Sequence, residues 1–239
     1  MRKAQSPDMR IVNLGEAIRP SAAVVTIDVV RAFSCTALAF ERGAEEITCV
    51  RSLDEARVLG ALHPQKLLMG EERGLKPEGF DIGNSPHEVQ MLDLAGKSLI
   101  QRTSNGTRGL IEAIHAPLLF AAGAVNATAT AKILEESGTR EVDFLVTDPA
   151  TSEDRACARF MIDTLLGNKP DPAELTKTVL GSFAEHRALW HRVRTTEEIA
   201  DFENDVTTCA QVDRCIFAVA GRVIDLAEGG IQCVTLTKS

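Results

Sequence analysis

The sequence predicts an α/β fold in which a mostly parallel sheet is covered by helices. Short β-branched apolar runs alternate with stretches of helical spacing, which is typical of βα units. The runs are almost continuously apolar, as expected of strands that are buried on both faces. The predicted strands are AVVTID (23–28), EEITCV (45–50), KSLI (97–100), PLLFAA (117–122) and REVDFLV (140–146).

Helical spacing follows these runs in chain order. The first four predicted helices are TALAFERG (36–43), DEARVLGAL (54–62), GTRGLIEAIHA (106–116) and NATATAKILEESG (126–138). Beyond Asp148 the pattern predicts a helical C-terminal segment that packs against the sheet, made of 152–167, 171–181 and 197–205. We expect a single domain over 1–239, or two lobes near 1–122 and 123–239.

Composition excludes several function classes. The net charge of −8 argues against a nucleic-acid or anionic-membrane surface, because those partners require an excess of Lys and Arg. No apolar run is long enough to span a membrane, and the N-terminal MRKAQSPDMR lacks the apolar core of a signal peptide. We therefore expect a cytoplasmic protein with reduced cysteines, and a homodimer is a reasonable expectation at this size.

The segment TIDVVRAFSC places charged groups where the first predicted strand ends. Asp28 closes the strand and Arg31 begins the next helix. A carboxylate there binds a hard cation, and a guanidinium holds phosphate through two parallel hydrogen bonds. The structural alternative is that Asp28 caps the helix and pairs with Arg31.

A second polar cluster spans GEERGLKPEGFDIGNSPHE (70–88). Asn84 or Ser85 followed by Pro86 predicts a helix start, with Glu88 near its N-terminal dipole. Helix capping leaves Glu72 and Asp81 unexplained, so these two carboxylates are the candidates for a functional role.

Two further clusters lie at predicted helix starts. In QRTSNGTRGL, hydroxyls and backbone N–H groups before Thr107 form a candidate anion site, although capping by Asn105 or Thr107 explains the segment equally well. It lacks the GxxxxGK[ST] pattern of a P-loop. Glu153 and Asp154 open a later helix, where acidic residues are favoured by the helix dipole. Because ligands bind outside the carboxyl ends of parallel strands, we expect all four clusters to meet at one sheet edge.

Together the four clusters resemble the magnesium-dependent 2-phosphosulfolactate phosphatases of coenzyme M biosynthesis. The resemblance rests on IDVVRAF (27–33), GEERGLKPEGFDIGNSPHE (70–88), RTSNGTRGL (102–110), VNATATAKIL (125–134) and SEDRACARFMIDTLL (152–166), in that order over more than half of the chain. It implies an α/β fold, hydrolysis of a phosphate monoester and a requirement for Mg²⁺. The chain departs from the family pattern at Cys35, where a hydroxyl residue is usual, and at Arg102.

The resemblance implies roles for the residues of these motifs. The substrate carries a phosphate, a sulfonate and a carboxylate, so Arg31, Arg73, Lys76 and Arg108 are the candidate cations. The implied catalytic residues are Asp28, Arg31, Glu72 and Asp81. The implied substrate-binding residues are Arg73, Asn84, Ser85, Ser104, Asn105, Gly106, Thr107 and Arg108. The implied Mg²⁺ ligands are Asp28, Glu72 and Asp81, followed by Glu153 and Asp154.

The reaction and its alternatives follow from these assignments. A water that attacks a metal-polarised phosphoryl group is favoured over a covalent route through Asp28, because aspartyl-nucleophile phosphatases use DxD and Val30 occupies the second position here. One alternative is a Mg²⁺-dependent phosphatase for another small anionic phosphoester. The other is a noncatalytic anion-binding protein.

Overall fold

A computed structural model describes residues 7–190, 195–227 and 230–239, and within these ranges it contains nine strands and eight α-helices. The strands are β1 (Asp8–Asn13), β2 (Ala23–Ile27), β3 (Glu46–Cys49), β4 (Leu67–Gly70), β5 (Ser98–Arg102), β6 (Leu119–Ala122), β7 (Glu141–Val146), β8 (Val219–Ala227) and β9 (Ile231–Lys238). The helices are α1 (Ala32–Glu41), α2 (Leu53–Leu62), α3 (Pro86–Val89), α4 (Gly106–Glu112), α5 (Ala127–Ser137), α6 (Glu153–Leu165), α7 (Pro172–Trp190) and α8 (Thr196–Cys209).

The predicted α/β fold class is confirmed. All five predicted strands form, as β2, β3, β5, β6 and β7, and the helical C-terminal segment is present as α6 to α8. Four strands were not predicted, namely β1, β4 and the hairpin of β8 and β9. The first six residues of the N-terminal stretch MRKAQSPDMR lie outside the described residues.

The sheet has the strand order β1-β7-β2-β6-β8-β9-β3-β5-β4. The first four strands are parallel to one another and form the first block, whereas β3, β5 and β4 are parallel to one another and form the second block. Between the blocks, β8 pairs antiparallel with β6 and β9 pairs antiparallel with β3 and β8. The second block therefore runs opposite to the first.

This reversal means that the four sequence clusters do not meet at one edge of a parallel sheet. In a flat sheet the carboxyl ends of β2 and β5 would lie at opposite edges. Strands twist by roughly 20–25° per step, so the five steps from β2 to β5 amount to roughly 100–125° of rotation. Helices α1 and α4 pack in one core with strands of both blocks and, together with this twist, bring the two ends towards each other.

Helix α1 is central to this packing. Every residue from Ala32 to Phe40 is buried, because the helix has no charged residue before Glu41 and lies in a core shared by strands of both blocks. Residues of α5 to α8 cover the other face of the first block, around Phe144 and Met161. Residues of α2 cover the other face of the second block, around Leu59 and Ile100.

The sheet also crosses the lobe boundary proposed from the sequence. Strands β7, β8 and β9 belong to 123–239, yet each pairs with a strand from 1–122. All six cysteines are buried as free thiols. In the part of the chain that the structure describes, no helix combines the length and apolarity needed to cross a bilayer.

Candidate active site

Asp28 is a buried carboxylate at the end of β2. Its Oδ1 atom accepts a hydrogen bond of 2.9 Å from the N–H of Ala32, which orients the carboxylate towards the start of α1. Burial raises the pKa of Asp28 to about 6, and the charge of Glu71 acts in the same direction. Asp28 thus has the perturbed ionisation that is common among functional carboxylates.

Glu71 lies within electrostatic reach of Asp28 because of a close approach between β4 and β5. A Cβ atom on Gly70 would lie 1.9 Å from the carbonyl oxygen of Arg102, so this position accommodates only glycine. The chain then turns Glu71 into the fold, where it is 6% exposed. Its carboxylate accepts hydrogen bonds from the N–H groups of Gly74 and Ser104. Glu71 therefore joins the second and third sequence clusters.

The start of α4 packs directly against Asp28. A Cβ atom on Gly106 would lie 2.6 Å from the Cβ of Ala32 and 2.8 Å from Oδ2 of Asp28. Thr103 and Thr107 cap this helix start, since Oγ1 of Thr103 accepts from the N–H of Thr107 and Oγ1 of Thr107 accepts from the N–H of Thr103. Thr107 thereby serves the local structure, and Asn105 makes no side-chain cap hydrogen bond.

Asp154 holds the ends of β2 and β7 together. Its Oδ1 atom accepts a 2.8 Å hydrogen bond from the N–H of Val29, and its Oδ2 atom accepts from the N–H groups of Thr147 and Asp148. These backbone contacts engage both oxygens. Asp154 thus fixes the ends of β2 and β7, which are followed by Asp28 and Asp148.

Arg31 lies at the junction of α1, the 71–76 turn and α8. Its Nη1 atom donates to Oδ2 of Asp205 at 2.6 Å, and its Nη2 atom donates to the carbonyl oxygen of Gly74 at 3.0 Å. The guanidinium also lies over the ring of Phe202, at 5.4 Å from the centroid. Arg31 is therefore held in a fixed position near Glu71, whose charge acts on it.

The polar turn before α3 is attached to the same aspartate. Ser85, one of the two caps expected from the sequence, is the N-cap of α3, with Pro86 in the first turn. The hydroxyl of Ser85 and the N–H of His87 both donate to Oδ1 of Asp205. Asn84 is 7% exposed, and its amide oxygen is buried without a hydrogen-bond partner.

Several predicted site residues lie elsewhere or are otherwise engaged. The side chain of Glu72 is 54% exposed, and its Oε1 atom lies 3.9 Å from Nη1 of Arg102. Asp81 is exposed and accepts a 2.8 Å hydrogen bond from the N–H of Leu68 along β4. Arg108 forms a surface ion pair with Glu112. None of these contacts brings the side chain to Asp28.

The remaining predicted residues divide between the loop and the interior. Arg73 and Lys76 lie in the turn that carries Glu71, where both are exposed. Glu153 is buried, and its Oε1 atom is 2.8 Å from Nε2 of His186 on α7 and accepts from the hydroxyl of Thr151. Glu153 therefore links α6 and α7.

The residues around Asp28 fit a Mg²⁺ ion. Within residues 7–190, 195–227 and 230–239, no three His, Cys, Asp or Glu side chains form a group that could hold a metal ion alone. Mg²⁺ does not require such a cage, since it is commonly bound by one or two carboxylates with waters and substrate oxygens. Asp28 and Glu71 provide that set, and a cation between them would offset their mutual repulsion.

Comparison with known proteins identifies the family. A family model described as 2-phosphosulpholactate phosphatase matches residues 11–220. The chain belongs to this family. Proteins carrying the name "Probable 2-phosphosulfolactate phosphatase" are similar over much of their length. The one from Bacillus subtilis (strain 168) is 35% identical over 168 residues, which cover 69% of this chain and 74% of that protein.

Two further relatives extend the similarity over more of the chain. The protein of that name from Prochlorococcus marinus (strain MIT 9303) is 32% identical over 82% of this chain and 86% of its own length. The one from another strain of Prochlorococcus marinus is 28% identical over 90% of this chain and 93% of its own. The resemblance seen in the motifs is confirmed, and with it the enzyme class, a phosphoric monoester hydrolase.

Sequence reasoning did not select Glu71 or Asp205, nor Asp148, whose charge also raises the pKa of Asp28. Glu71 is adjacent to the selected Glu72, and the glycine before it was the available signal that the chain bends there. Asp148 follows a predicted strand, which was an equivalent signal to that for Asp28. Asp205 lies in a charged helix outside the quoted motifs, and nothing in its spacing indicates burial.

Proposed function

We propose that this chain hydrolyses 2-phosphosulfolactate to 3-sulfolactate and inorganic phosphate with Mg²⁺ as cofactor. Family membership supports the substrate, because the named relatives carry it in their names. The observation that carries the proposal is that Arg31 and Glu71 both bond to Gly74, while the 104–106 backbone that bonds Glu71 also packs against Asp28. Two carboxylates beside one fixed guanidinium suit a metal ion and a phosphate group together.

Each side chain has a physical role in this proposal. Asp28 and Glu71 would hold the ion, which would supply Lewis-acid polarisation of the phosphoryl group when bound. Arg31 keeps donors that its bonds to Asp205 and Gly74 do not use, and it orients the phosphate with them. The backbone of Ser104, Asn105 and Gly106 lies close to the two carboxylates, since Ser104 donates to Glu71 and Gly106 packs against Asp28.

The other anionic groups of the substrate require cations and polar groups nearby. Arg73 and Lys76 lie on the exposed turn beside Glu71 and suit the sulfonate and carboxylate. Asn84 is only 7% exposed, and its amide NH₂ group can donate to an anionic group of the substrate; its buried amide oxygen has no protein partner and accepts only from a donor such as water. The hydroxyl of Ser85 already donates to Asp205. Ser85 therefore stays a candidate substrate residue only because it is adjacent to Asn84.

Departures from the family pattern bear on substrate choice. Cys35 is buried, and burial raises the pKa of its thiol well above the usual range, so it stays neutral in the core. Arg102 donates from Nη1 to the carbonyl oxygen of Glu71 at 2.8 Å, and its Nε atom is buried without a partner. Of the two departures, Arg102 is the one bonded to a residue of the proposed metal site, Glu71. Other small phosphoesters should therefore be tested beside 2-phosphosulfolactate.

Phosphate release from purified protein tests the proposal. We expect Mg²⁺-dependent turnover of 2-phosphosulfolactate that stops with EDTA and returns with added Mg²⁺. Phospholactate, which lacks the sulfonate, and p-nitrophenyl phosphate serve as comparison substrates. Faster turnover of one of these indicates a different phosphoester, and absence of turnover with all of them favours a noncatalytic anion-binding protein.

Three expectations from the sequence stay predictions. A cytoplasmic location is tested by cell fractionation, and the homodimer by light scattering of the purified chain. The single-domain interpretation is tested by cooperative unfolding, and strands from both halves in one sheet support it.

A further inference from the structure

Asp205 is a buried carboxylate that connects three separate parts of the chain. It is 2% exposed and lies on α8, outside every motif that carries the family resemblance. Oδ2 accepts from Arg31 at the start of α1, and Oδ1 accepts from Ser85 and from the N–H of His87 in the α3 turn. A buried charge is stable only when it is well paired, and these contacts pair both of its oxygens.

Helix α8 is itself held in place against Arg31. Phe202 lies three residues before Asp205, so both side chains are on one face of the helix. Its ring packs against Phe183 and His186 of α7, at centroid distances of 6.1 and 5.3 Å. The same ring lies under the Arg31 guanidinium. The guanidinium is thus fixed from two sides by groups of α8.

We propose that Asp205 is a positioning residue of the active site, which sets the affinity for the anionic substrate by fixing Arg31. The proposal rests on the proposed function, since it assigns Arg31 to the phosphate. Arginine has a long side chain with considerable rotamer freedom, and a guanidinium that is already oriented loses less of it when an anion binds. Asp205 therefore acts through Arg31 and does not touch substrate.

A double-mutant cycle tests this coupling. Arg31→Ala, Asp205→Ala and the double variant are compared for KM and kcat of phosphate release, and for the Kd of inorganic phosphate by calorimetry. We expect Asp205→Ala to raise KM and the phosphate Kd about 10- to 100-fold, the scale of a misplaced binding group, with a smaller change in kcat. The double variant should be no weaker than Arg31→Ala, because each change removes the same interaction.

The controls separate positioning from folding. Asp201→Asn removes one negative charge from an exposed site on the same helix and should leave KM and Kd unchanged. Asp205→Asn keeps the side-chain volume and serves if the alanine variant does not fold. Losses that multiply in the double variant, or an Asp205 variant with wild-type KM and Kd, would overturn the proposal.

The two readouts distinguish this inference from the proposed function. Turnover by the wild type tests the substrate, whereas phosphate affinity tests the coupling of Arg31 and Asp205 for any phosphoester. A wild type that binds phosphate without turning over 2-phosphosulfolactate contradicts only the proposed function. A wild type that does neither contradicts both.

Discussion

Glu71 and Glu72 are adjacent residues with opposite environments. Glu71 is buried and accepts two backbone N–H bonds near Asp28, whereas Glu72 is 54% exposed on the outer side of the turn. If the site lies beside Asp28, only the first of the two carboxylates can take part in it. The same substitution at each of the two adjacent positions therefore compares a buried with an exposed carboxylate.

We expect Glu71→Gln to lower kcat for phosphate release by about 100-fold, the scale of losing one electrostatic group from an active site. The change keeps the size of the side chain and removes the charge that would hold the ion. Glu72→Gln should change kcat by less than about twofold, since exposed charges with distant partners contribute little. Initial rates at saturating substrate and Mg²⁺ measure both. Equal losses in the two variants would contradict the placement of the site.

From the sequence, Glu72 was selected as the candidate carboxylate, whereas the structure buries its neighbour Glu71. Both carboxylates follow the same apolar run, and side-chain direction there depends on the backbone between Gly70 and Gly74. Arg73 adopts a positive φ of 52°, which residue type alone does not indicate. By contrast, Asp28 and Arg31 could be selected because the end of a regular strand fixes where the following groups lie.

At the scale of an element, the start of α4 has no room for an additional carbon atom. We expect Gly106→Ala to lower the free energy of unfolding by about 1–3 kcal/mol, because overpacking displaces Ala32 or Asp28. The same displacement should reduce phosphate release. Urea unfolding and activity assays measure the two effects.

Gly181 in α7 is the matched control. A Cβ atom there would meet nothing within 4 Å, so Gly181→Ala should raise the free energy of unfolding by about 0.5–1 kcal/mol. A Gly106→Ala protein with wild-type stability and activity would show that α4 can move away from Asp28 without consequence.

Strand β1 is attached to β7 through the buried side chain of Asp143. Arg10 donates to both of its oxygens, at 3.0 and 2.6 Å, and Arg19 donates from its backbone and its side chain. Burial opposes ionisation, but these hydrogen bonds outweigh it and hold the pKa of Asp143 below its usual range. The ionised form is thus the one that stabilises the fold.

We expect Asp143→Asn to cost about 3 kcal/mol at pH 7, at the lower end for a broken buried pair because Arg10 is 41% exposed. A lowered folded-state pKa contributes stability that is present above the unfolded pKa and is lost as pH falls through the folded pKa. The difference from wild type should therefore be constant from pH 6 to 8 and shrink below about pH 4. Urea unfolding across pH measures it. Asp8→Asn, at an exposed partner of Arg19, should have a smaller effect, and a pH-independent difference for Asp143→Asn would contradict this account.

Elements of the first βα units could be predicted because each buried strand is a continuous apolar run. The β8–β9 hairpin could not, because VAGRVIDLA and IQCVTLTK mix polar and apolar residues after a long charged helix. Their pairing between β6 and β3 is a long-range contact, which local periodicity does not predict. Strand β4 has four residues, with Leu67 and Leu68 only partly buried, so its pattern was weak.

At the scale of the whole molecule, β9 determines whether the two blocks unfold together. Leu236 is fully buried and pairs with Ile47 of β3 and Gly221 of β8. We expect Leu236→Ala to lower the free energy of unfolding by about 3 kcal/mol, within the range for a buried leucine. In a single domain, amide protection should fall equally in β2 and β6 and in β3 and β5, as hydrogen exchange measures.

Leu180→Ala on α7 is the control, since Leu180 is 45% exposed and its loss should change stability by less than about 0.5 kcal/mol. Loss of protection restricted to β3, β5 and β4 would mean that the two blocks are separate folding units, and would favour the two-lobe description.

The central position of β8 and β9 also bears on how the protein is made. Both strands are synthesised after every other element of the sheet, yet they occupy its middle. Until residues 219–238 leave the ribosome, β6 and β3 each keep one edge without its final partner. Unpaired edges recruit other strands, so the nascent chain carries two sites for mispairing that the finished enzyme lacks. Completion of the catalytic fold is thereby tied to the last strands of the sheet to be translated.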